Sequence, residues 1–368
     1  MSQPETISLA RGAPSIDIVA VDDLRAAADA AFSNDPSGTF SYGTAAGYEP
    51  LVKWIAERQG VAPEQVVATN GSMQADAFLF GQLVQPGDVV VVEAPSYDRT
   101  LLSLRAQGAE ILAIPLQDDG VDVGALEAAL EEGARPKLAH IIPNFHNPAG
   151  CTLSLEKRRT LVELAERHDF ILFEDDPYVE LRFAGEQLPT MLSMDRSGRV
   201  VYASSFSKTV CPGIRVGYLA GPGEIIAETR RIATGTYISP SMVSQSIVAE
   251  FCRSGAIDRS IETVNEALLE RRDALCAALE RELPDARFVT PEGGYFLWVD
   301  LPEGTDVARL AELAGERGVA FVKGTDFLLQ GGESSLRIAY SGVRAEQIDD
   351  AVSRLAQAYR ELPGASAA

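Results

Sequence analysis

The chain has 368 residues, 46% of them hydrophobic and 23% charged, so it can bury a sizeable core in one large domain or two unequal ones. Its formal net charge of −21 argues against a nucleic-acid partner, because phosphate backbones are bound by basic surfaces. The N-terminus lacks a signal-peptide pattern, and no apolar run approaches the roughly 20 residues that span a bilayer. We therefore expect a cytoplasmic protein without a membrane partner.

The cysteines and histidines give no sign of a metal or disulfide framework. The four cysteines are Cys151, Cys211, Cys252 and Cys276, with no Cys-x-x-Cys pair among them. We expect four buried thiols and no metal site.

Residues from about 60 to 245 alternate between helical and strand-like segments, which is typical of an open, mostly parallel α/β sheet. Helices are predicted over 73–83 and 155–168. Short, branched, apolar strands are predicted over 89–92, 110–114, 138–142, 170–173 and 199–203. Because such sheets bind ligands beyond the carboxyl ends of their strands, we expect the functional residues to lie there.

A second pattern follows a long helix predicted over 257–283. Strands are predicted over 295–299, 320–322 and 335–340, and helices over 305–317 and 344–361. This pattern indicates a smaller α+β domain. We predict an N-terminal segment of residues 1–40 that joins the small domain, a large domain of residues 41–250 and a small domain of residues 251–368.

Lysine is scarce in this chain, since only five of the 32 basic residues are lysine. Lys208 lies in the segment 204–209, among serines and a threonine, and Arg215 follows seven residues later. A primary amine can condense with an aldehyde, which a guanidinium cannot do. Hydroxyl groups and an arginine beside that amine suit a phosphorylated aldehyde, a description that fits pyridoxal phosphate.

Other polar residues stand where the predicted elements end. Asp175 ends an apolar strand, Gly71 and Ser72 open a helix whose N-terminus can bind phosphate, and Arg337 interrupts an apolar strand. If Arg337 faces inward it requires a carboxylate ligand, because an unpaired buried charge is costly. Each feature also has a structural interpretation: an acidic turn, an ordinary helix cap, and an outward arginine on an edge strand.

Taken together, in their order from Gly12 to Arg337, these motifs resemble the fold-type I pyridoxal phosphate enzymes. The similarity is to the class I/II aminotransferases and, within them, to the 2-aminoadipate-aminotransferase-like branch. It implies an α/β fold with a mostly parallel, seven-stranded-type sheet in the large domain and a smaller α+β domain. It also implies an enzyme that moves an amino group between an L-α-amino acid and a 2-oxo acid through a Schiff base between Lys208 and pyridoxal 5'-phosphate.

The resemblance assigns roles to the residues around the cofactor ring. Lys208 holds the cofactor and moves the proton, while Asp175 pairs with the pyridine nitrogen. Tyr178 and Asn147 bind the ring oxygen O3', and Asn147 also lies against the substrate. Tyr97 stacks on the ring. The residues implied to bind the phosphate are Gly71, Ser72, Met73, Ser205, Ser207 and Arg215.

The resemblance also implies how substrate and subunits are arranged. Arg337 binds the substrate α-carboxylate, and Gly12 closes over the same group. Tyr42 reaches the phosphate of a neighbouring subunit, which implies a homodimer. A dicarboxylate substrate would need a second cation, and the candidates are Arg11, Arg25, Arg99 and Arg182.

Three positions depart from the family pattern. Met73 stands where the family usually has Gln, His146 where it has Gln or Asn, and Val52 where it has Arg. His146 is interpreted as either a structural histidine or a titratable group at the cofactor edge. With these departures, an enzyme of specialised biosynthesis that performs β- or γ-elimination or replacement with the same cofactor remains the alternative. A ligand-binding regulator is a more remote one, since the acidic charge does not suit DNA.

Overall fold

An eight-stranded sheet forms the centre of the larger part of the computed structural model, which describes residues 6–363. Its strands, numbered in chain order, are β2 (Val66–Thr69), β3 (Val89–Ala94), β4 (Glu110–Gln117), β5 (Gly120–Val121), β6 (Pro136–Ile141), β7 (Ile171–Asp175), β8 (Val200–Ser205) and β9 (Gly217–Ala220). Their spatial order is β2-β9-β8-β7-β6-β3-β4-β5. Strands β3, β4, β6, β7 and β8 pair in parallel, whereas β9 and β5 pair antiparallel with their neighbours. The mostly parallel sheet is therefore confirmed, and the two-residue β5 is a short addition at its edge.

Helices cover both faces of this sheet. They are α4 (Ser72–Leu83), α5 (Asp98–Ala106), α6 (Val123–Glu131), α7 (Leu155–His168) and α9 (Gly223–Tyr237). Apolar residues of β3, β6 and β7 point alternately into two separate buried clusters, one on each face. Because Asp175 pairs with Ala203 and Ser205 with Gly217, the strands extend further than their apolar residues indicate. Both polar residues are consequently fixed by the sheet ladder.

A three-stranded antiparallel sheet forms the centre of the smaller part. It consists of β10 (Phe296–Asp300), β13 (Ser335–Ala339) and β12 (Val322–Lys323), in that order. The predicted strand at 320–322 is split in two: β12 pairs with β13, whereas β11 (Val319–Ala320) pairs with β1 (Ile7–Ser8). The helices of this part are α11 (Ala256–Glu282), α12 (Val307–Glu316) and α13 (Ala345–Arg360).

The residues before position 40 contribute to both cores. Ile7 and Leu9 pack in the core of the smaller part, whereas Ala27 of α1 (Val21–Asn34) packs with Leu51 in the larger part. The remaining helices are α2 (Pro36–Phe40), α3 (Glu49–Gln59), α8 (Met191–Met194) and α10 (Met242–Arg253). We retain the division at residues 40 and 250 as a proposal.

Within residues 6–363, no helix combines the length and the apolar character that a membrane span requires. The same part of the chain contains no group of three or more His, Cys, Asp or Glu residues arranged to hold a metal ion. All four cysteines are free thiols. The prediction that all four are buried is wrong for Cys211, which is only partly buried because it precedes a short 3-10 turn near the surface.

Candidate active site

Lys208 lies in the turn between β8 and β9, with its amine directed toward the N-terminal segment. Its Nζ atom donates a hydrogen bond to the carbonyl oxygen of Gly12 at 3.0 Å. The same atom lies 5.4 Å from the ring centre of Tyr178 and 5.0 Å from that of Tyr295. The Tyr295 hydroxyl donates to the backbone carbonyl of Lys208 at 3.2 Å. The amine is therefore held against aromatic faces without an ion-pair partner among the described residues.

The surroundings of Lys208 favour its neutral form. Burial lowers the pKa of the amine to about 8, and the positive charges of Arg215 and Arg337 act in the same direction. Asp175 opposes this shift. Because only a neutral amine is nucleophilic, Lys208 is prepared to react with an aldehyde near neutral pH.

Asp175 ends β7 and is only 4% exposed. Its Oδ2 atom lies 3.3 Å from Nε2 of His140, on the neighbouring strand β6, whereas its Oδ1 atom is buried without a hydrogen-bond partner among the described residues. A buried carboxylate oxygen without a partner is costly, so it fits a ligand that donates an N–H, as a protonated pyridine does.

Sequence reasoning missed His140 as a site residue. The histidine is fully buried, and its Nε2 atom also lies 3.5 Å from the Thr100 hydroxyl. The available signal was a histidine inside the otherwise apolar strand predicted over 138–142, one strand away from Asp175.

Tyr178 and Asn147 lie on the side of the site that faces the smaller part. Burial raises the pKa of Tyr178 well above its ordinary value, so the phenol is a hydrogen-bond donor. Asn147 follows β6, and its Oδ1 atom accepts a hydrogen bond from Nη1 of Arg337 at 2.9 Å. That bond leaves the amide NH₂ of Asn147 to donate to a ligand.

The six predicted phosphate-binding residues converge at the N-terminus of α4, where Gly71 precedes the helix and Ser72 and Met73 are its first two residues. Nη1 of Arg215 donates to Oγ of Ser207 at 3.1 Å, and Oγ of Ser205 accepts from the Ser207 amide at 3.1 Å. Free helix amides, hydroxyls and a guanidinium together suit a phosphate group.

Gly71 is required by the approach of Arg215. Its φ angle is +87°, and a Cβ atom at this position would lie 2.2 Å from Nη2 of Arg215. A side chain would therefore displace the guanidinium from the helix N-terminus. A Cβ at Gly217 would likewise come within 2.5 Å of the Ser72 amide nitrogen.

Tyr97 directly precedes α5, at the carboxyl end of β3, and is partly buried. Burial raises its pKa to about 12, and the charges of Asp98, Asp175 and Asp76 add to that shift. Its hydroxyl lies 3.8 Å from Sδ of Met73, which is 39% exposed. Met73 thus contacts Tyr97 by its side chain, a contact that the sequence did not predict.

Arg337 lies on β13, the central strand of its sheet, and is 7% exposed. Its guanidinium carbon is 4.4 Å from the ring centre of Phe296 and 4.8 Å from that of Phe327. Besides the bond to Asn147, it donates to the Ala10 carbonyl at 2.6 Å, while its Nε atom is buried without a partner among the described residues. The alternative of an outward arginine on an edge strand is therefore wrong, and the N–H groups that these two bonds leave over can bind a carboxylate.

The N-terminal segment links these two cations. Gly12 accepts from Lys208 and Ala10 accepts from Arg337. A Cβ atom at Gly12 would lie 2.3 Å from the Phe296 ring, so the close approach requires glycine.

Tyr42 is the one predicted site residue that the structure leaves apart from the others. It follows α2, is 86% exposed and lines a separate cavity of about 560 Å³ together with Lys53 and Met242. Nothing within the described residues of its own chain brings it to Lys208.

His146 and Val52, two of the departures from the family pattern, have structural contacts. His146 is 1% exposed; its Nε2 atom lies 3.1 Å from Oε2 of Glu93, and its Nδ1 atom accepts from the Ala149 amide. Val52 packs in the apolar core of the larger part. His146 therefore holds the loop that carries Asn147 in place.

The residues present fit pyridoxal phosphate. A lysine with a lowered pKa, a helix N-terminus with hydroxyls and Arg215, and the unpaired Oδ1 of Asp175 correspond to its aldehyde, phosphate and pyridine nitrogen.

Comparison with known proteins agrees with this fit. The family model for aminotransferase class I and II matches residues 4–355. The aromatic-amino-acid aminotransferase 1 of Thermococcus litoralis is 34% identical over 369 residues, covering 97% of this chain and 88% of that protein.

Two solved structures are similar over most of the chain. The kynurenine aminotransferase of Pyrococcus horikoshii, in complex with PMP, has a TM-score of 0.93 at 33% identity and covers 97% of this chain and 91% of its own. The α-aminoadipate aminotransferase LysN of Thermus thermophilus, complexed with N-(5'-phosphopyridoxyl)-L-leucine, has a TM-score of 0.92 at 32% identity, covering 96% of this chain and 92% of its own. The chain belongs to the class I and II aminotransferases, within the branch that includes the 2-aminoadipate enzymes, and is a pyridoxal phosphate-dependent transferase of amino groups.

Proposed function

We propose that the residues around Lys208 transfer the amino group of an L-α-amino acid to a 2-oxo acid in the roles that the family resemblance implies for them. The observation that supports this most is electrostatic: the charges of Asp175, Arg215 and Arg337 all act on the Lys208 amine. The groups assigned to the pyridine nitrogen, the phosphate and the substrate carboxylate therefore surround one amine.

Pyridoxal phosphate, when bound, supplies an electron sink for the bond that breaks at the substrate α-carbon. Lys208, neutral in an appreciable fraction near pH 8, would be the base that takes the α-proton of the substrate and the acid that gives it back. Asp175, through its unpaired Oδ1, would hold a protonated pyridine nitrogen, and Tyr178 and Asn147 would donate to O3'. Arg215 and the α4 N-terminus would hold the phosphate.

Arg337 fixes the orientation of the substrate. Its guanidinium lies between Phe296 and Phe327, so its plane is set before a substrate arrives. A two-point bond to the α-carboxylate then leaves the α-carbon one direction in which to face Lys208. Gly12, whose carbonyl accepts from Lys208, would close over the same carboxylate.

The functional unit is a homodimer in which Tyr42 completes the phosphate site of the partner. Large apolar side chains near the N-terminus are exposed in the single chain, among them Ile16 at 76% and Phe40 at 61%, beside Tyr42 at 86%. Exposed apolar surface of this kind is typical of subunit interfaces.

Mixed dimers test the shared site. Lys208→Ala and Tyr42→Ala subunits, each nearly inactive alone, are refolded together. A mixed dimer then contains one site with both an intact Lys208 and an intact Tyr42, so activity should recover to about one quarter of wild type. Absence of recovery, with dimers confirmed by sedimentation, would contradict the contribution of Tyr42 across the interface.

Residues other than Lys208 and Arg337 recognise the substrate side chain. The similar proteins are named for aromatic amino acids, kynurenine and α-aminoadipate. Of the candidate second cations, three have acidic partners: Arg25 pairs with Asp22, Arg99 with Asp98 and Arg182 with Glu292. Arg11, which is exposed and directly precedes Gly12, is the candidate that we favour for a dicarboxylate substrate.

A substrate panel tests the reaction. The enzyme is incubated with ¹⁵N-labelled L-2-aminoadipate, glutamate, kynurenine, phenylalanine or alanine, each with 2-oxoglutarate or pyruvate. We expect the label to appear in the new amino acid. Label that appears only as ammonia would contradict transamination.

A further inference from the structure

Asp76 is a buried carboxyl group that the roles described so far do not use. It lies one turn into α4 and is 5% exposed. Its Oδ1 atom is buried and has no hydrogen-bond partner among residues 6–363. A carboxyl group in such surroundings is costly to the fold, so a ligand that would compensate it is the natural explanation.

The face of α4 that carries Asp76 packs against β7, which carries Asp175, and against the neighbouring strand β6. Phe80 lies four residues later on the same face of α4. Its ring centre is 6.1 Å from that of His140 on β6 and 5.9 Å from that of Phe173 on β7. His140 in turn contacts Asp175. Asp76 is therefore directed toward the carboxyl ends of β6 and β7.

Electrostatic interactions place Asp76 at the same end of the site. The charge of Asp175 acts on Asp76, and both carboxyl groups act on the Tyr97 hydroxyl. Asp175 of β7 acts on Asp76, and Asp76 acts on Tyr97 at the start of α5, while His140 of β6 contacts Asp175. This is the end of the site assigned to the pyridine nitrogen.

Three buried polar atoms at this end of the site have no hydrogen-bond partner within residues 6–363: Oδ1 of Asp76, Oδ1 of Asp175 and Nδ1 of His140. Two carboxylates in such an environment do not both ionise without a nearby cation. Burial and the charge of Asp175 raise the pKa of Asp76 well above its ordinary value, so without a cation the proton resides on Asp76.

We propose that Asp76 is a second carboxyl group of the pyridine-nitrogen site, which carries a proton in the cofactor-free protein and gives it up when the pyridine ring binds. The proposal rests on the pyridoxal phosphate assignment. When an unprotonated ring enters, the O–H bond of Asp76 breaks and an N–H bond forms at the ring nitrogen. When the ring enters protonated, the proton leaves to water. In both cases two carboxylates then face one pyridinium.

Proton counting tests the transfer. Cofactor-free wild type and Asp76→Asn are titrated calorimetrically with pyridoxal phosphate at pH 7, in buffers of different ionisation enthalpy. The matched control is Asp98→Asn, which removes a partly exposed carboxylate next to Tyr97. We expect Asp76→Asn to take up about one more proton per site from the buffer on binding pyridoxal phosphate than wild type and the control do, because the variant has no Asp76 proton to give. Equal counts for all three proteins would overturn the role of Asp76.

Stability of the cofactor-free protein supplies a second readout if Asp76→Asn binds too weakly to titrate. An acid whose pKa is raised by folding costs stability as pH rises from its unfolded value toward its folded value. The free energy of unfolding of Asp76→Asn, measured relative to that of wild type, should therefore increase from pH 4 to pH 7. Parallel pH profiles would overturn the proposal, and Asp76→Ser replaces the Asn variant if that fails to fold. Wild type that binds no pyridoxal phosphate would instead overturn the cofactor assignment.

Discussion

Arg337 donates from Nη1 to Oδ1 of Asn147 at 2.9 Å, and this bond joins the two parts of the molecule at the site. Arg337 lies on β13 of the smaller part, and Asn147 lies in the loop after β6 of the larger part. The group proposed to bind the substrate carboxylate and the group proposed to bind O3' thus hold each other in position. Substrate and cofactor contacts are consequently coupled through one hydrogen bond.

Arg337→Lys should weaken substrate use without preventing cofactor binding. The lysine keeps the charge but loses the two-point geometry, at a cost of about 1.5–3 kcal/mol for the charged hydrogen bond lost. We expect kcat/KM for the amino acid to fall about 10- to 100-fold, mainly through KM, while the visible absorbance of the bound cofactor remains. Arg281→Lys on the exposed surface serves as the control. An unchanged kcat/KM would contradict the role of Arg337.

Gly71→Ala should weaken cofactor binding more than it weakens the fold. The new Cβ displaces Arg215 from the α4 N-terminus, and we expect the Kd of pyridoxal phosphate to rise by about 10- to 100-fold, as loss of a charged contact of about 1.5–3 kcal/mol requires. Gly87→Ala is the matched control, because Gly87 has a φ of +88° but no atom within 4 Å of its Cβ position. Equal Kd values for the two variants would show that backbone strain alone weakens cofactor binding, which would contradict the displacement of Arg215.

Lys208→Met should stabilise the cofactor-free protein near neutral pH. The pKa of Lys208 falls from its ordinary 10.5 to about 8, so the folded state resists the proton that the unfolded state keeps. That cost is fully present below pH 8 and disappears as pH rises toward 10.5. We expect a gain of about 1–3 kcal/mol in the free energy of unfolding at pH 7, which narrows above pH 8. Denaturant titration across pH checks this, and a gain that does not change with pH would contradict the lowered pKa.

His146→Gln should reduce stability and leave the chemistry intact. The substitution removes the contact with Glu93 in a fully buried setting, and we expect a loss of about 1–3 kcal/mol in the free energy of unfolding. The pH profile of kcat should keep its shape, because His146 faces Glu93 instead of Lys208. A shifted profile at unchanged stability would instead make His146 part of the reaction.

The sequence was sufficient to predict the parallel sheet and the polar residues at the carboxyl ends of its strands. Asp175 ends one apolar strand and Lys208 follows another, and the carboxyl ends of parallel strands lie on the same side of a sheet. The prediction of an inward Arg337 also followed from a charge within an apolar strand.

Contacts between distant elements could not be predicted in the same way. The pairing of His140 with Asp175 depends on the register of β6 and β7, and the Tyr97–Met73 contact depends on how α4 and α5 pack. The burial of Asp76 is equally a result of packing, since in the sequence it is one polar residue in an apolar-periodic helix. The role of Tyr42 depends on a second subunit, because its proposed contact is with the phosphate site of the partner.

The absorbance spectrum of the purified protein with pyridoxal phosphate, with and without an L-amino acid and in the absence of any oxo acid, tests the assignment of Lys208 most directly. For wild type we expect a visible band that the right amino acid abolishes, with one oxo acid formed per site. Lys208→Ala should show neither the lysine-bound band nor turnover. A Lys208→Ala protein that keeps the band and full activity would contradict the assignment.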